Sequence, residues 1–495
     1  MIFDYDDLVG QFILCRNEND IPAPWTMRRH GSWYLGVHVA LPVVEILASD
    51  SAMIGWLLGY PIHPEGLLVT ETVRFSFSSK VSQVSAQFES SLYAYGGRFA
   101  AVCFATQTPR LYLDPCGTLA AVFSPKQQMV ASTTTLIPRL DDQDDNHELI
   151  RALDIPGKDA YYPFGLTSRR SVARLLPNHF LDLETWQAVR HWPSQEFTPV
   201  DKLPDAVNEM AHLLKNNITA VVRKHPLYMS LTAGRDSRML LACARPHLHD
   251  ISFVTFGVPQ SWGLLDKQVA PRIAKRLHLK HSFLPYEQPS ENELNEWLNR
   301  TGYCIRGSQW VRTYNRLDPQ RAVLMGAAGE LGRGFHWRKG DTESSPICAD
   351  DLLLKRDLPI TTEIKSRARQ WLENLPVKNT LTIWGLLYNE LFNGCWFGPL
   401  LYGFKYNPLY IWPFSQRRII EIMMSLPADY RRNNILPVEL IKSHWPELLR
   451  IPFNWPIGIK RYFYAVKWRT DLIRRKWFSK INNKKTLPNA SPGKG

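Results

Sequence analysis

Cysteine is scarce in this chain, and what there is lacks a pattern. Seven cysteines among 495 residues, at 15, 103, 116, 243, 304, 348 and 395, are scattered, with no CxxC pair. That argues against a zinc knuckle or a dithiol redox motif. An odd number in a long chain fits reduced thiols better than a disulfide framework. A basic leader followed by an apolar core is missing too, since the chain opens with acids at Asp4, Asp6 and Asp7, so no secretory signal is expected. Long apolar runs are lacking. The richest stretch, Trp33 to Ile62, holds His38, Pro42, Glu45 and Asp50, each costly inside a bilayer. Internal repeats and low-complexity tracts do not occur. These absences predict a cytoplasmic protein. What is present is 45% hydrophobic residues with 17 tryptophans, enough for a large buried core and two or three domains. The formal net charge of +13 favours anionic partners or substrates.

The grammar of the chain changes near its middle. Up to about Pro163 it reads mostly as strands: residues 66–79 and 85–105 alternate apolar with small polar residues, and turn residues at 107–110 and 114–117 punctuate them. Asp141 to Glu148 reads as a solvated acidic connector, and residues 164–203 as a linker segment. From Pro204 onward, apolar residues fall at helical spacing. A short apolar strand then ends at Leu231, a helix follows from Asp236, residues 250–258 read as the next buried strand, and Leu265 to Leu279 as the next helix. Strands alternating with helices predict a parallel sheet wound by right-handed crossovers. Beyond about Pro376 the chain is rich in tryptophan and leucine and reads as helical. The expected division is therefore a strand-rich segment over 1–163, the linker 164–203, an α/β parallel-sheet domain over 204–450, and a tail over 451–495.

Leu231 to Ser237, L-T-A-G-R-D-S, sits at the predicted strand-to-helix turn. A helix start after a parallel strand presents free N–H groups and partial positive charge to an anion, at the end of the sheet where α/β folds bind ligands. Small residues allow close approach, Thr232 and Ser237 can donate hydroxyl hydrogen bonds to phosphate, and Asp236 can hold a magnesium ion. The plainer alternative makes Asp236 and Ser237 N-cap residues of the helix.

This turn resembles the L-S-G-G-x-D-S pyrophosphate loop of the asparagine synthetase family and the wider group of ATP pyrophosphatases. Thr232 stands at the Ser position and Ala233 at the first Gly, while Gly234, Asp236 and Ser237 match. Asp266 and the helix after it, with Ala270, Ile273, Ala274 and Leu277 as its buried face, resemble the family's next segment. Upstream, Gly97, Phe99 and Ala100, then Asp114, Pro115 and Gly117, then Ala131 and Ser132 resemble a class II glutamine amidotransferase-like domain. The resemblance covers most of the chain in order. It implies a glutaminase-like sandwich of the N-terminal-nucleophile type before an ATP pyrophosphatase domain. It further implies ATP and Mg2+ as cofactors, with Leu231, Thr232, Ala233, Gly234, Asp236 and Ser237 along the phosphates. Phe256 and Gly257 would belong to the adenine wall. The implied reaction is adenylation of a small-molecule or peptide carboxylate, followed by transfer of ammonia or an amine to give an amide.

Two departures qualify that expectation. Glutamine-hydrolysing members use an N-terminal Cys as nucleophile, whereas this chain begins Met1-Ile2 and Cys15 reads as a buried structural thiol. Glutaminase chemistry is expected to be absent. Leu324 to Phe335, L-M-G-A-A-G-E-L-G-R-G-F, resembles the family's S-G-E-G-S-D-E-L-F-G-G-Y loop, but Gly329 falls on the metal-binding Asp, and the base position on Gly326 or Ala327. Glu330 is the loop's one carboxylate and the candidate catalytic residue; the alternatives are a helix-start Glu and a catalytically degenerate nucleotide-binding scaffold. Arg333, His336 and Arg338 form a basic cluster that faces either an anionic substrate or solvent. His247 and His249 lack companion ligands at metal spacing. From Lys460 to Lys485 the tail holds ten basic residues, one acid (Asp471) and interleaved Trp468, Leu472, Trp477 and Phe478. Such a segment either packs on the domain or lies on an anionic membrane surface; no nucleic-acid fold signature accompanies it.

Overall fold

The computed structural model describes residues 5–157, 160–258, 261–304, 310–406 and 409–455, so the basic tail from Lys460 lies outside the described residues. The first half builds two antiparallel sheets. One has six strands in the order Ala173–Arg174, Val122–Ser124, Met129–Ala131, Phe12–Cys15, Trp33–Val37, Thr26–His30. The other centres on the long strand Met53–His63, paired antiparallel with Val43–Leu47 and Gly96–Cys103; one short edge pairing, Val43–Leu47 with Val73–Arg74, is parallel. Alternation along these strands sends Phe12, Leu14, Trp33 and Leu35 from one sheet and Trp56, Leu58, Val102 and Leu113 from the other into one core.

Three expectations for this half are corrected. Residues 85–105 are not all strand, because Val84–Tyr93 is a helix. Val84, Phe88 and Leu92 recur every fourth residue and cover the outer face of the larger sheet, a helical period that the neighbouring small polar residues obscure. Residues 164–203 do more than connect: they supply Ala173–Arg174 to one sheet and His179–Asp182 and Ala188–Arg190 to the other. The acidic stretch 141–148 is not simply solvated. Asp144 is buried against Arg169, whose Nε donates to it at 2.8 Å, and Asn146 caps the helix His147–Leu153.

The second half folds around five strands in the order His281–Leu284, Ile251–Phe256, Leu227–Ser230, Ala322–Leu324, Tyr410–Ile411, every neighbouring pair parallel. The order reverses between Leu227–Ser230 and Ala322–Leu324. Helices link the strands, as the alternation predicts. The helix Leu203–Val222 buries Val207, Met210, Leu214, Ile218 and Val221 at three- and four-residue spacing, against the helix Arg235–Cys243. Among the described residues beyond Pro376 the chain is mainly helical, with one wide-turned segment, Tyr388–Phe397. Buried Glu390 on that segment takes both terminal nitrogens of Arg190, at 2.6 and 2.8 Å, together with Asn178 and Trp371, and so ties the second half to the sandwich. Among the described residues no helix is long and apolar enough to cross a membrane.

Candidate functional site

The strand order reverses between Leu227–Ser230 and Ala322–Leu324, and the crevice outside the carboxyl ends of strands at such a reversal is where open α/β sheets receive ligands. Both sequence-flagged loops arrive there. The first runs 231–237 into the helix Arg235–Cys243, whose N-cap is Gly234 in extended conformation with no side-chain cap. Ser237 therefore does not cap the helix; its hydroxyl sits 2.7 Å from Thr232 Oγ1, and Gly234 N–H donates to that same Oγ1 at 3.0 Å. Leu231 is fully buried, its carbonyl accepting from Thr255. Ala233 N–H donates to Asp266 at 2.7 Å. The N–H groups of Ala233 and Gly234 are thus committed inside the loop, and the first-turn N–H groups of the helix remain for an anion.

The second loop lies directly on that helix start. A Cβ at Gly326 would sit 3.2 Å from Ser237 N, and one at Gly329 would sit 2.8 Å from Asp236 Oδ1 and 3.0 Å from its Cβ. Gly329, where the resemblance implies a second metal ligand, is therefore a packing requirement: any side chain would strike Asp236. Between them Ala328 is buried with φ of +72°, a left-handed alanine of the kind that stores strain at functional loops.

Asp236 and Glu330 are brought together through Arg333. Arg333 Nη2 donates to Asp236 Oδ2 at 2.5 Å and lies 3.7 Å from Glu330 Oε1. Tyr388 donates its hydroxyl to Glu330 Oε2 at 3.0 Å. Burial pushes the Asp236 carboxyl above the ordinary range; Arg333 pulls the other way, and Glu330 adds to the push. Arg333 is charged despite its own burial, held above the usual guanidinium range by Asp236 and Glu330. Asp236 Oδ1, Arg333 Nε and Arg235 Nε are buried without a hydrogen-bond partner. Unpartnered arginine Nε atoms recur elsewhere among the described residues, so the distinguishing feature here is Asp236 Oδ1, a buried carboxylate oxygen left open.

For magnesium, the fit rests on that orphaned Asp236 Oδ1, since Oδ2 is taken by Arg333. A single carboxylate with phosphate oxygens and water is an ordinary magnesium environment, whereas among the described residues no group of three His, Cys, Asp or Glu could hold a metal by itself.

Phe256 ends the parallel strand next to Leu227–Ser230, at the same carboxyl edge of the sheet as the 231–237 loop, and Tyr314 stacks on its ring at 4.3 Å. Gly257 is small for packing, since a Cβ would meet Tyr286 N at 2.5 Å. The basic cluster disperses: Arg338 pairs with Asp341 and Asp351, while burial and the cations Arg356, Lys355 and Arg333 drive His336 down to about 2, so it is neutral. His247 bonds Thr219 and His249 is exposed. Cys15 lies buried in its strand, its thiol pushed up to about 11 by burial.

Sequence reasoning missed Arg238. It is wholly buried in the first helix, donates to Ala233 O and Pro452 O at 2.9 Å, and stacks on Phe453, so the segment 448–454 braces the loop from behind. An arginine between Ser237 and Met239 carries no local sign of that role. Tyr388, 58 residues from Glu330, had none either. No protein-family model and no curated protein matches this chain.

Proposed function

We propose that the chain is an ATP-dependent, AMP-forming carbon–nitrogen ligase of the asparagine synthetase type, with a sandwich that does not hydrolyse glutamine. The carrying observation is the crevice at the strand reversal, where Asp236 Oδ1, Arg235 Nε and Arg333 Nε are all buried and unpartnered. A substrate carboxylate oxygen attacks the α-phosphorus of ATP, pyrophosphate leaves, and an amine or ammonia then displaces AMP to form the amide. Thr232, Ser237, the two guanidiniums and the helix start hold the departing pyrophosphate; such preorganised donors are usually the largest catalytic term. Magnesium, bound through Asp236, would neutralise phosphate charge. Glu330 is positioned to take a proton from the amine, and Cys15, deep in a strand, offers no nucleophile to the sandwich.

One observation favours a second reading, a nucleotide-binding scaffold without turnover: Arg333 already neutralises Asp236. ATP–pyrophosphate exchange with a panel of carboxylates separates the two. Carboxylate-dependent exchange is expected; ATP binding without exchange on any carboxylate establishes the scaffold. Replacing Asp236 alone strands a buried guanidinium, which is itself destabilising. The double variant Asp236→Asn/Arg333→Gln neutralises both, and it should weaken Mg-ATP binding at least about tenfold, roughly 1.4 kcal/mol. Unchanged binding places the nucleotide elsewhere.

A further inference from the structure

We propose that the cavity of about 530 Å3 between residues 152–153, 160–161 and 356–359 binds a small carboxylate carried on an apolar body, with the Arg356 guanidinium as the seat of the carboxylate. Its volume lies within the usual range for small-molecule sites, which pair apolar walls with a few placed polar groups. The walls here are Leu153, Leu358, Phe392 and Trp396, the last two stacked at 4.7 Å between ring centres. Arg356 enters this apolar space half-buried, between the faces of Phe392 at 4.8 Å and Tyr161 at 5.8 Å. Its Nε donates to the Tyr161 hydroxyl at 3.1 Å. Among the described residues that bond is the guanidinium's one hydrogen bond, its two terminal nitrogens making none, and Asp357, exposed at the rim, is not paired with it. A guanidinium stacked between rings with its fork free is shaped for bidentate carboxylate recognition. Tyr161, accepting from Nε, keeps its own proton for the same ligand. The neighbours Leu354 and Ile360 are 65% and 54% exposed, so apolar surface continues on both sides of 356–359 and favours a ligand with an apolar body.

The cavity is joined to the crevice by rings. His336 stacks on Tyr388 at 3.9 Å, and Tyr388 on Phe392 at 5.2 Å; the Tyr388 hydroxyl ends on Glu330. The role of this cavity as the seat of the ligase's acid or of its amine partner's carboxylate rests on the proposed function; binding itself does not.

The test is equilibrium dialysis of the full chain, without nucleotide, against 3-phenylpropionate, its neutral amide, and acetate. The acid should bind at least tenfold more tightly than either control, and Arg356→Gln should bring it down to the level of the amide. Ala152→Trp, at an exposed helix position on the cavity lining, should also weaken binding and serves if Arg356→Gln misfolds. Equal binding of acid and amide, wild-type affinity in either variant, or no saturable binding of the acid overturns the proposal. Because ATP is absent, a failure here leaves the nucleotide crevice untouched, and a chain that bound the acid but never ATP would sink the ligase reading alone.

Discussion

Asp114 follows a buried strand of the sandwich, and Asp236 opens the helix after a buried strand of the parallel sheet. The first accepts from Phe99 N, Cys116 N, Thr118 N, Thr118 Oγ1, Leu119 N and Ser415 Oγ, all between 2.9 and 3.4 Å. The second has one guanidinium on Oδ2 and nothing on Oδ1. A carboxylate saturated by its own turn has no valence left for chemistry and holds the turn shut. One left half-satisfied, under glycines that let the chain crowd it, has an oxygen open for the magnesium and nucleotide proposed above. The front aspartate also reaches across the molecule to Ser415, so its work is to join the two halves.

The sharpest way to break this contrast is Asp114→Ala. It leaves several buried donors unpaired, each costing about 1–3 kcal/mol, and a net loss of about 3–5 kcal/mol in urea unfolding is expected, a size that marks a buried network. A loss under about 1 kcal/mol would show that the turn does not depend on its aspartate.

Asp266 stands between the two. Burial raises it from 3.8 to about 6, while the Ala233 N–H and Arg238 oppose the rise. Its folded form holds a proton more tightly than the unfolded form, so its contribution to stability is fully present below pH 3.8 and is lost as pH rises through about 6. At 1.36 kcal/mol per pKa unit the loss is at most about 3 kcal/mol. Between those limits the unfolding free energy of the wild type relative to Asp266→Asn, which keeps an acceptor for Ala233 N–H, should fall with rising pH. A difference that stayed constant with pH would remove Asp266 from the account of the loop.

Much of this contrast was legible in sequence, and the illegible part has a physical pattern. The 231–237 turn could be placed because small and hydroxyl residues between an apolar strand and a helical period report a local backbone event. The alternation of strand and helix after Pro204 was equally local, and it gives the parallel sheet. The helix at Val84–Tyr93 reads as strand because only three of its ten residues, Val84, Phe88 and Leu92, form the buried stripe, and serine and alanine serve either period. The meaning of Gly329 was out of reach, since it depends on an atom 93 positions earlier in the chain. Arg238, Arg333 and Tyr388 likewise owe their roles to partners that only the fold supplies.

The smallest expected effect concerns Glu330, and it decides most directly between turnover and a silent scaffold. Glu330 is 23% exposed in the loop over Asp236, takes the Tyr388 hydroxyl on Oε2, and lies 3.7 Å from Arg333 through Oε1. Glu330→Gln keeps size and can still accept from Tyr388, but it cannot take a proton from an attacking amine. Loss of a positioned acid or base costs about 10²–10⁴ in rate, and a drop in amide formation of at least about tenfold is the floor, equivalent to about 1.4 kcal/mol. The pyrophosphate exchange step, which precedes amine attack, should fall less than amide formation if Glu330 acts as the base. An equal fall in both would assign it to holding Arg333 in place instead. An unchanged rate in both steps would leave Glu330 as nothing more than the acceptor of a buried tyrosine, and the crevice would then differ from the Asp114 turn in charge but not in chemistry.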